Sequence, residues 1–333
     1  MQKIALSVVL ALALAAGLKA APSSGQGAIT VQQGWQPDLA APLFYAEDNG
    51  LFKKAGVNVA FTRFNSGPAF FAALRSGSID LADFTTSALA AALASKVPVR
   101  VFYVIADTGS TNVLVVQPNE NIKSAADLKG KTVASVNGSL PYYGLTKYLA
   151  ASHMTLNDVK YLNLPPTSII AAFKKHEVDA AYLWAPYYEE LVAAGGIPVT
   201  TTKKDGVGAL DIWVANASWY DKNPDAVKRL VQAMSQAQQA VSKDPQAGIA
   251  SLVKWGFDPN SASTGFKDTI YPSVQQQLDP KSPYALVPQN NSVVEKYTRE
   301  TADFFAQSGF VQPVSDWSGI FDAKPMQEVA TRR

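Results

Sequence analysis

Two acidic residues and two short hydroxyl-bearing stretches are the places in this 333-residue chain where side chains could do chemistry. Asp211 stands inside Leu210-Asp211-Ile212-Trp213-Val214. A carboxylate in an apolar run is either paired or set to hold a cation, because burying it alone is costly. Asp38 follows Pro37, where a solvated turn residue is the plain alternative. Thr85-Thr86-Ser87 and Asn137-Gly138-Ser139 each precede a helical pattern. The first N–H groups of a helix lack intrahelical acceptors and its dipole favours negative charge there. Such openings suit an oxyanion, and the hydroxyls of Thr86, Ser87 and Ser139 could add direct bonds. The same residues also read as ordinary N-caps, and Ser66-Gly67 is a weaker third opening. Trp35, Tyr143, Trp184 and Trp213 could face a cation, although each is equally suited to core packing. Trp184 precedes Ala185-Pro186 at a strand end, the edge where α/β sheets place ligands. Trp213 lies two positions from Asp211 and so shares its strand face.

Other chemistries find little support. The chain has no cysteine, hence no thiol nucleophile and no thiolate metal ligand. Its two histidines, His153 and His176, lie far apart at helix ends without metal-ligand spacing. Neither a phosphate-binding glycine loop nor a nucleophile elbow is present, so no cofactor is expected. Glu189-Glu190 falls at a helix start, where acids complement the dipole and point apart rather than forming a catalytic pair. Lys and Arg number 29 against 27 Asp and Glu, with no basic patch, which argues against a nucleic-acid partner.

The elements that must position these residues begin after a leader. Lys3, the apolar run Ile4 to Ala16 and the small residues before Pro22 read as a secretory signal peptide over 1–20. Its apolar stretch is shorter than the roughly 20 residues of a membrane span. The mature chain is expected to be a free, monomeric periplasmic protein that does not insert in the membrane. Strand and helix patterns then alternate. Ala28 to Gln32, Val57 to Thr62, Ile79 to Ala82 and Val99 to Ala106 read as strands, with helices over Pro42 to Ala55 and Ala88 to Ser95. Asn112 to Val116, Lys131 to Ser135, Val159 to Leu162 and Asp179 to Leu183 repeat the grammar, with a helix from Tyr142 to His153. Beyond Asn223-Pro224 the pattern is mostly helical, and from Ser261 to Leu286 it is weak. The fold class is therefore α/β with two sheets.

Gly50-Leu51-Phe52-Lys53-Lys54-Ala55-Gly56-Val57, Leu74-Arg75-Ser76-Gly77-Ser78-Ile79-Asp80 and Asp127-Leu128-Lys129-Gly130-Lys131 occur in an order that resembles periplasmic solute-binding proteins of ABC importers. The branch is the one for sulfonates, nitrate and thiamine precursors. Asn163-Leu164-Pro165-Pro166, Val178-Asp179-Ala180-Ala181-Tyr182-Leu183-Trp184-Ala185-Pro186 and Leu210-Asp211-Ile212-Trp213 are similar to its taurine-binding group. The resemblance implies a type II binding-protein fold with ligand between two lobes, 21–108 with 216–333 and 109–215, joined by two crossover strands. It implies contacts to a sulfonate from Thr86, Ser87 and Ser139, an ammonium clamp from Asp38 and Asp211, and an ABC permease as partner. Alkanesulfonates, nitrate and betaine-like ligands remain alternatives on this reading. A thiamine-pyrimidine-synthase-like enzyme of the same fold is remote, because that chemistry implies a cysteine-rich iron motif which this chain lacks.

Overall fold

The computed structural model describes residues 29–64, 67–288 and 291–331. The leader therefore lies outside the described residues. So does Ser66.

Among the described residues, ten strands form two five-stranded sheets. The first holds β1 (Ile29–Trp35), β2 (Val57–Arg63), β3 (Leu81–Thr85), β4 (Val99–Asp107) and β10 (Leu210–Asn216) in the order β2-β1-β3-β10-β4. The second holds β5 (Asn112–Val116), β6 (Thr132–Ser135), β7 (Lys160–Asn163), β8 (Ala180–Trp184) and β9 (Ile197–Thr201) in the order β7-β6-β8-β5-β9. β1 runs parallel to β2 and β3, and β6 runs parallel to β7 and β8. β10 is antiparallel to both of its neighbours, β3 and β4. The chain passes from the first sheet to the second between Asp107 and Asn112 and returns between Thr201 and Leu210. This is the two-lobed α/β architecture expected.

β4 and β10 read as near-continuous apolar runs because both faces of their sheet are covered. Every residue of β10 is buried, Asp211 included. The expected single helix from Pro42 is two, Ala41–Asp48 and Leu51–Lys54, broken where Gly50 adopts φ 63°. That left-handed turn is open to Gly without strain. The C-terminal third covers the outer edge of β4, which would otherwise expose unpaired backbone groups. Val101 bridges to Phe321, and Asp107 bridges to Ile270. Between them Gln277 acts as a surrogate strand: its Oε1 accepts from Val104 N–H at 2.7 Å and its Nε2 donates to Val104 O at 3.0 Å. Among the described residues no helix is long and apolar enough to cross a membrane.

Trp213 fixes the centre of the first sheet. It is fully buried against Phe52 and Phe102, and its indole N–H donates to Gln33 Oε1 at 2.7 Å. Trp213→Phe leaves that oxygen buried without a donor and opens a void. We expect a loss of about 2–4 kcal/mol, read as a lower urea midpoint at unchanged m-value. An unchanged midpoint would show that the Gln33 bond contributes nothing net.

Candidate functional site

The carboxyl ends of β1, β3, β6 and β8 converge on one cavity of about 440 Å³. This is the edge of a parallel sheet at which ligands bind. The first sheet contributes Asp38 from the loop after β1, Asp83 and Thr85 from β3, Ser87 from the helix that follows, and Asp211 from β10. The second contributes Asn137 to Pro141, between β6 and the next helix, and Trp184 with Ala185 at the end of β8. Among the described lining residues there is no Lys, Arg or His.

Two helices aim their N-termini at this space. The helix Thr86–Ala94 is capped by Thr85, whose extended backbone (φ −71°, ψ 161°) lets its Oγ accept from Ala88 N–H at 3.1 Å. Ser87 Oγ lies 2.8 Å from Thr85 Oγ, a bond that uses one of the pair's two hydroxyl hydrogens and leaves the other. The N–H groups of Thr86 and Ser87 belong to the first turn and have no intrahelical acceptor. Across the cavity, the helix Leu140–Ala150 is capped by Ser139, which accepts from Tyr142 N–H at 3.2 Å. Ser139 also donates to Val136 O at 2.6 Å, so its hydroxyl hydrogen is already used. Asn137 supplies donors on that side instead. Tyr161 holds its side-chain oxygen at 2.7 Å, leaving the amide N–H groups unspent.

Three carboxyls line the same cavity from the first sheet. Asp83 and Asp211 are 2% and 1% exposed, while Asp38 is half-buried at the cavity wall. Antiparallel pairing sets Asp211 opposite Thr85 and Trp213 opposite Asp83, which places all four on one sheet face. Both oxygens of Asp83, and one each of Asp38 and Asp211, are shut off from solvent without a hydrogen-bond donor. Burial pushes Asp38 well above the usual carboxylate range, and Asp83 beside it adds to the rise. Burial raises Asp83 to about 7, with Asp211 pushing it up and Asp38 working the other way. Asp211 is likewise held high by burial, then by Asp38 and Asp107. Like charges packed in a dry site cannot all ionise. The floor is therefore short of positive charge.

The structure brings Asp38, Ser87, Ser139, Trp184 and Asp211 to one cavity. It does not bring Thr86, Trp213, Trp35 or Tyr143. Thr86 is fully buried and donates to Gly208 O at 3.0 Å, because the cap falls one residue earlier, on Thr85. Trp213 shares the face of Asp211 but sits two residues deeper, beneath the cavity, with its N–H given to Gln33. Trp35 packs edge-on to Phe44 and Trp255. Tyr143 stacks on Phe304 at 4.3 Å. Asp83 and Thr85 join the site without having been singled out by the sequence pattern. A signal for Asp83 exists, since Leu81-Ala82-Asp83-Phe84 buries an acid in an apolar run as clearly as the stretch around Asp211 does.

Residues 38–248 match the family model described as NMT1/THI5 like. The chain belongs to that family. It is 28% identical over 298 residues to the taurine-binding periplasmic protein of Escherichia coli (strain K12), covering 87% of this chain and 90% of that one. Among solved structures it shares its fold with the periplasmic aliphatic sulphonate binding protein SsuA from Escherichia coli. The TM-score there is 0.72 at 23% identity, covering 89% of this chain and 91% of that one. The desulfurization enzyme DSZB has the same fold at TM-score 0.70 and 16% identity, over 91% and 99% of the two chains. The shared architecture by itself thus fits capture and catalysis alike.

The site carries a stability consequence. A carboxyl whose pKa is raised by folding destabilises the fold where it must ionise. That cost is absent below about pH 4, grows as pH rises toward 7 and is complete above it. Asp83→Asn is therefore expected to stabilise the empty protein by about 2–4 kcal/mol at pH 8 and hardly at pH 4. Urea unfolding at the two pH values checks this. A destabilised variant at pH 8 would show Asp83 to be ionised and paired.

Proposed function

We infer that the protein captures a small zwitterion, with a sulfonate at one end and an ammonium at the other, and hands it to a membrane permease. Taurine or a close relative fits that description. The observation that carries the reading is the mixed polarity of one cavity: unpaired carboxyls and two helix N-termini line it together, with no basic side chain among the described lining residues. The names and family of the relatives support it. An ammonium has three donors for the carboxyl floor, and a sulfonate has acceptors for the first-turn N–H of Ser87 and the amide of Asn137. Two helices set on different sheets would both bear on one anion, so ligand would favour closure of the cleft.

Nitrate and plain alkanesulfonates would leave the carboxyl floor unanswered. A quaternary ammonium has no N–H to give it. Capture rather than catalysis is the reading favoured by a cavity without thiol, imidazole or amine among its described lining residues. We assign the protein to the periplasm, with 1–20 as its removable leader. The lobes follow sheet membership. Because β10 pairs with β3 and β4, the return from the second lobe falls between Thr201 and Leu210, ahead of the boundary at 215 that the sequence suggested.

Calorimetry on unfolded and refolded protein, free of carried-over ligand, tests the assignment with taurine and ethanesulfonate. We expect micromolar or tighter taurine binding, with ethanesulfonate weaker by roughly tenfold or more. Asp211→Asn should weaken taurine by about 10- to 100-fold and ethanesulfonate by less than about threefold. Equal losses would assign Asp211 to packing or closure and remove the ammonium clamp.

A further inference from the structure

We propose that Asp38, Asp83 and Asp211 share a proton in the empty cleft and surrender it when a ligand's cationic group arrives. This rests on the cation-binding reading of the floor. Its basis is geometric. Three carboxyls from three segments, the loop after β1, β3 and β10, meet at one spot. Four of their oxygens lack a donor and cannot reach water. Asp83 has both oxygens in that condition. Such groups are tolerated in a fold only when something supplies a hydrogen, and the hydrogens available to carboxyls facing one another are their own.

The surrounding side chains do not supply one to those four oxygens. Asp107, at the end of β4, is the nearest further acid, and it is already held by Lys203 Nζ at 3.2 Å, Tyr284 Oη at 3.2 Å and Gly109 N–H at 2.9 Å. Tyr271 approaches Asp211 and Asp38 from the segment after Ile270, but its Oη makes no hydrogen bond and so donates to neither acid. Trp213, deeper on the same face, has given its N–H to Gln33. The second sheet presents no charged side chain to the cavity among the described lining residues.

The step is an exchange. A carboxyl O–H bond breaks, its proton passes to solvent, and the freed carboxylate accepts hydrogen bonds from the ligand's ammonium. No bond of the ligand changes. Binding favours the deprotonated form, so affinity rises with pH below the free cluster's titration and levels off above it. Of the three, Asp83, raised to about 7, gives up its proton most readily and so sets the window.

Two measurements decide the matter. Infrared spectroscopy of the empty protein at pH 6.5 should show the C=O stretch of a buried protonated carboxyl that is lost or shifted in Asp83→Asn. Calorimetry in phosphate and in Tris, whose ionisation heats differ, should show taurine releasing up to one proton. Its affinity should tighten by up to roughly tenfold per pH unit between about pH 5 and 7 and flatten by about pH 8. In Asp83→Asn both the release and the slope should shrink by at least about half. An empty protein without a protonated carboxyl, or an affinity flat from pH 5 to 8 without release, overturns the proposal. If taurine fails to bind while the carboxyl band is present, the sulfonate reading fails instead. Ethylammonium at millimolar concentration, a cation with no anionic end, then decides the exchange: displacement of the band upholds it and an unchanged band overturns it.

Discussion

Mutual repulsion among buried carboxyls is the constraint around which this structure is arranged. Left alone, Asp38, Asp83 and Asp211 would drive their segments apart or draw in water. They stay together because the backbone that carries them cannot move independently. β10 lies between β3 and β4 with antiparallel ladders on both sides. A slip of one residue would turn Asp211 to the opposite face. That register is pinned from below by Trp213 bonded to Gln33 of β1. It is pinned from the side by the surrogate pairing of Gln277 with Val104 of β4.

The helix termini at the same cavity supply a different kind of charge. A lysine or arginine there would attract an anion, but it would also reach for the carboxyl floor and satisfy it in the empty protein. Helix termini do not have that freedom. Their partial positive charge belongs to backbone N–H groups fixed in a turn, so it acts on an anion seated at the helix end and cannot cross the cavity. Fixed dipoles and unpaired acids in one cavity leave the empty cleft unsatisfied toward charge of both signs. A dipolar ligand satisfies both at once.

Much of this was legible in the sequence, and the exceptions have physical causes. Strand–helix alternation marks the two sheets because parallel strands buried on both faces leave long apolar runs. Asp211 is legible because an acid in such a run is expensive. Asp83 obeys the same rule, but reading the strand as ending at Ala82 places it in a loop, where an acid is cheap. Thr85 and Thr86 differ only in backbone dihedrals, and three successive hydroxyl residues offer the cap three frames. Depth along a strand is invisible to period-two reasoning, which correctly sets Trp213 on the face of Asp211 but not two residues below the cavity. The segment from Ser261 to Leu286 lacks a clear period because single groups there, Ile270 and Gln277, seal the edge of β4 where a continuous apolar stripe would leave a pattern.

That last segment bears on function more than its weak pattern suggests. Ile270 pairs with Asp107 at the end of β4, beside the point where the chain leaves for the second sheet. Tyr271 follows directly and approaches Asp211 and Asp38 from outside the cavity. One short stretch thus fixes the exit from the first sheet and closes the back of the carboxyl floor against water. Solvating the floor from behind would raise its local dielectric, ease ionisation of the three acids and weaken their demand for a cation. The dryness on which the proposed selectivity for a ligand's positive end rests is therefore a property of the C-terminal third as much as of the three carboxyls themselves.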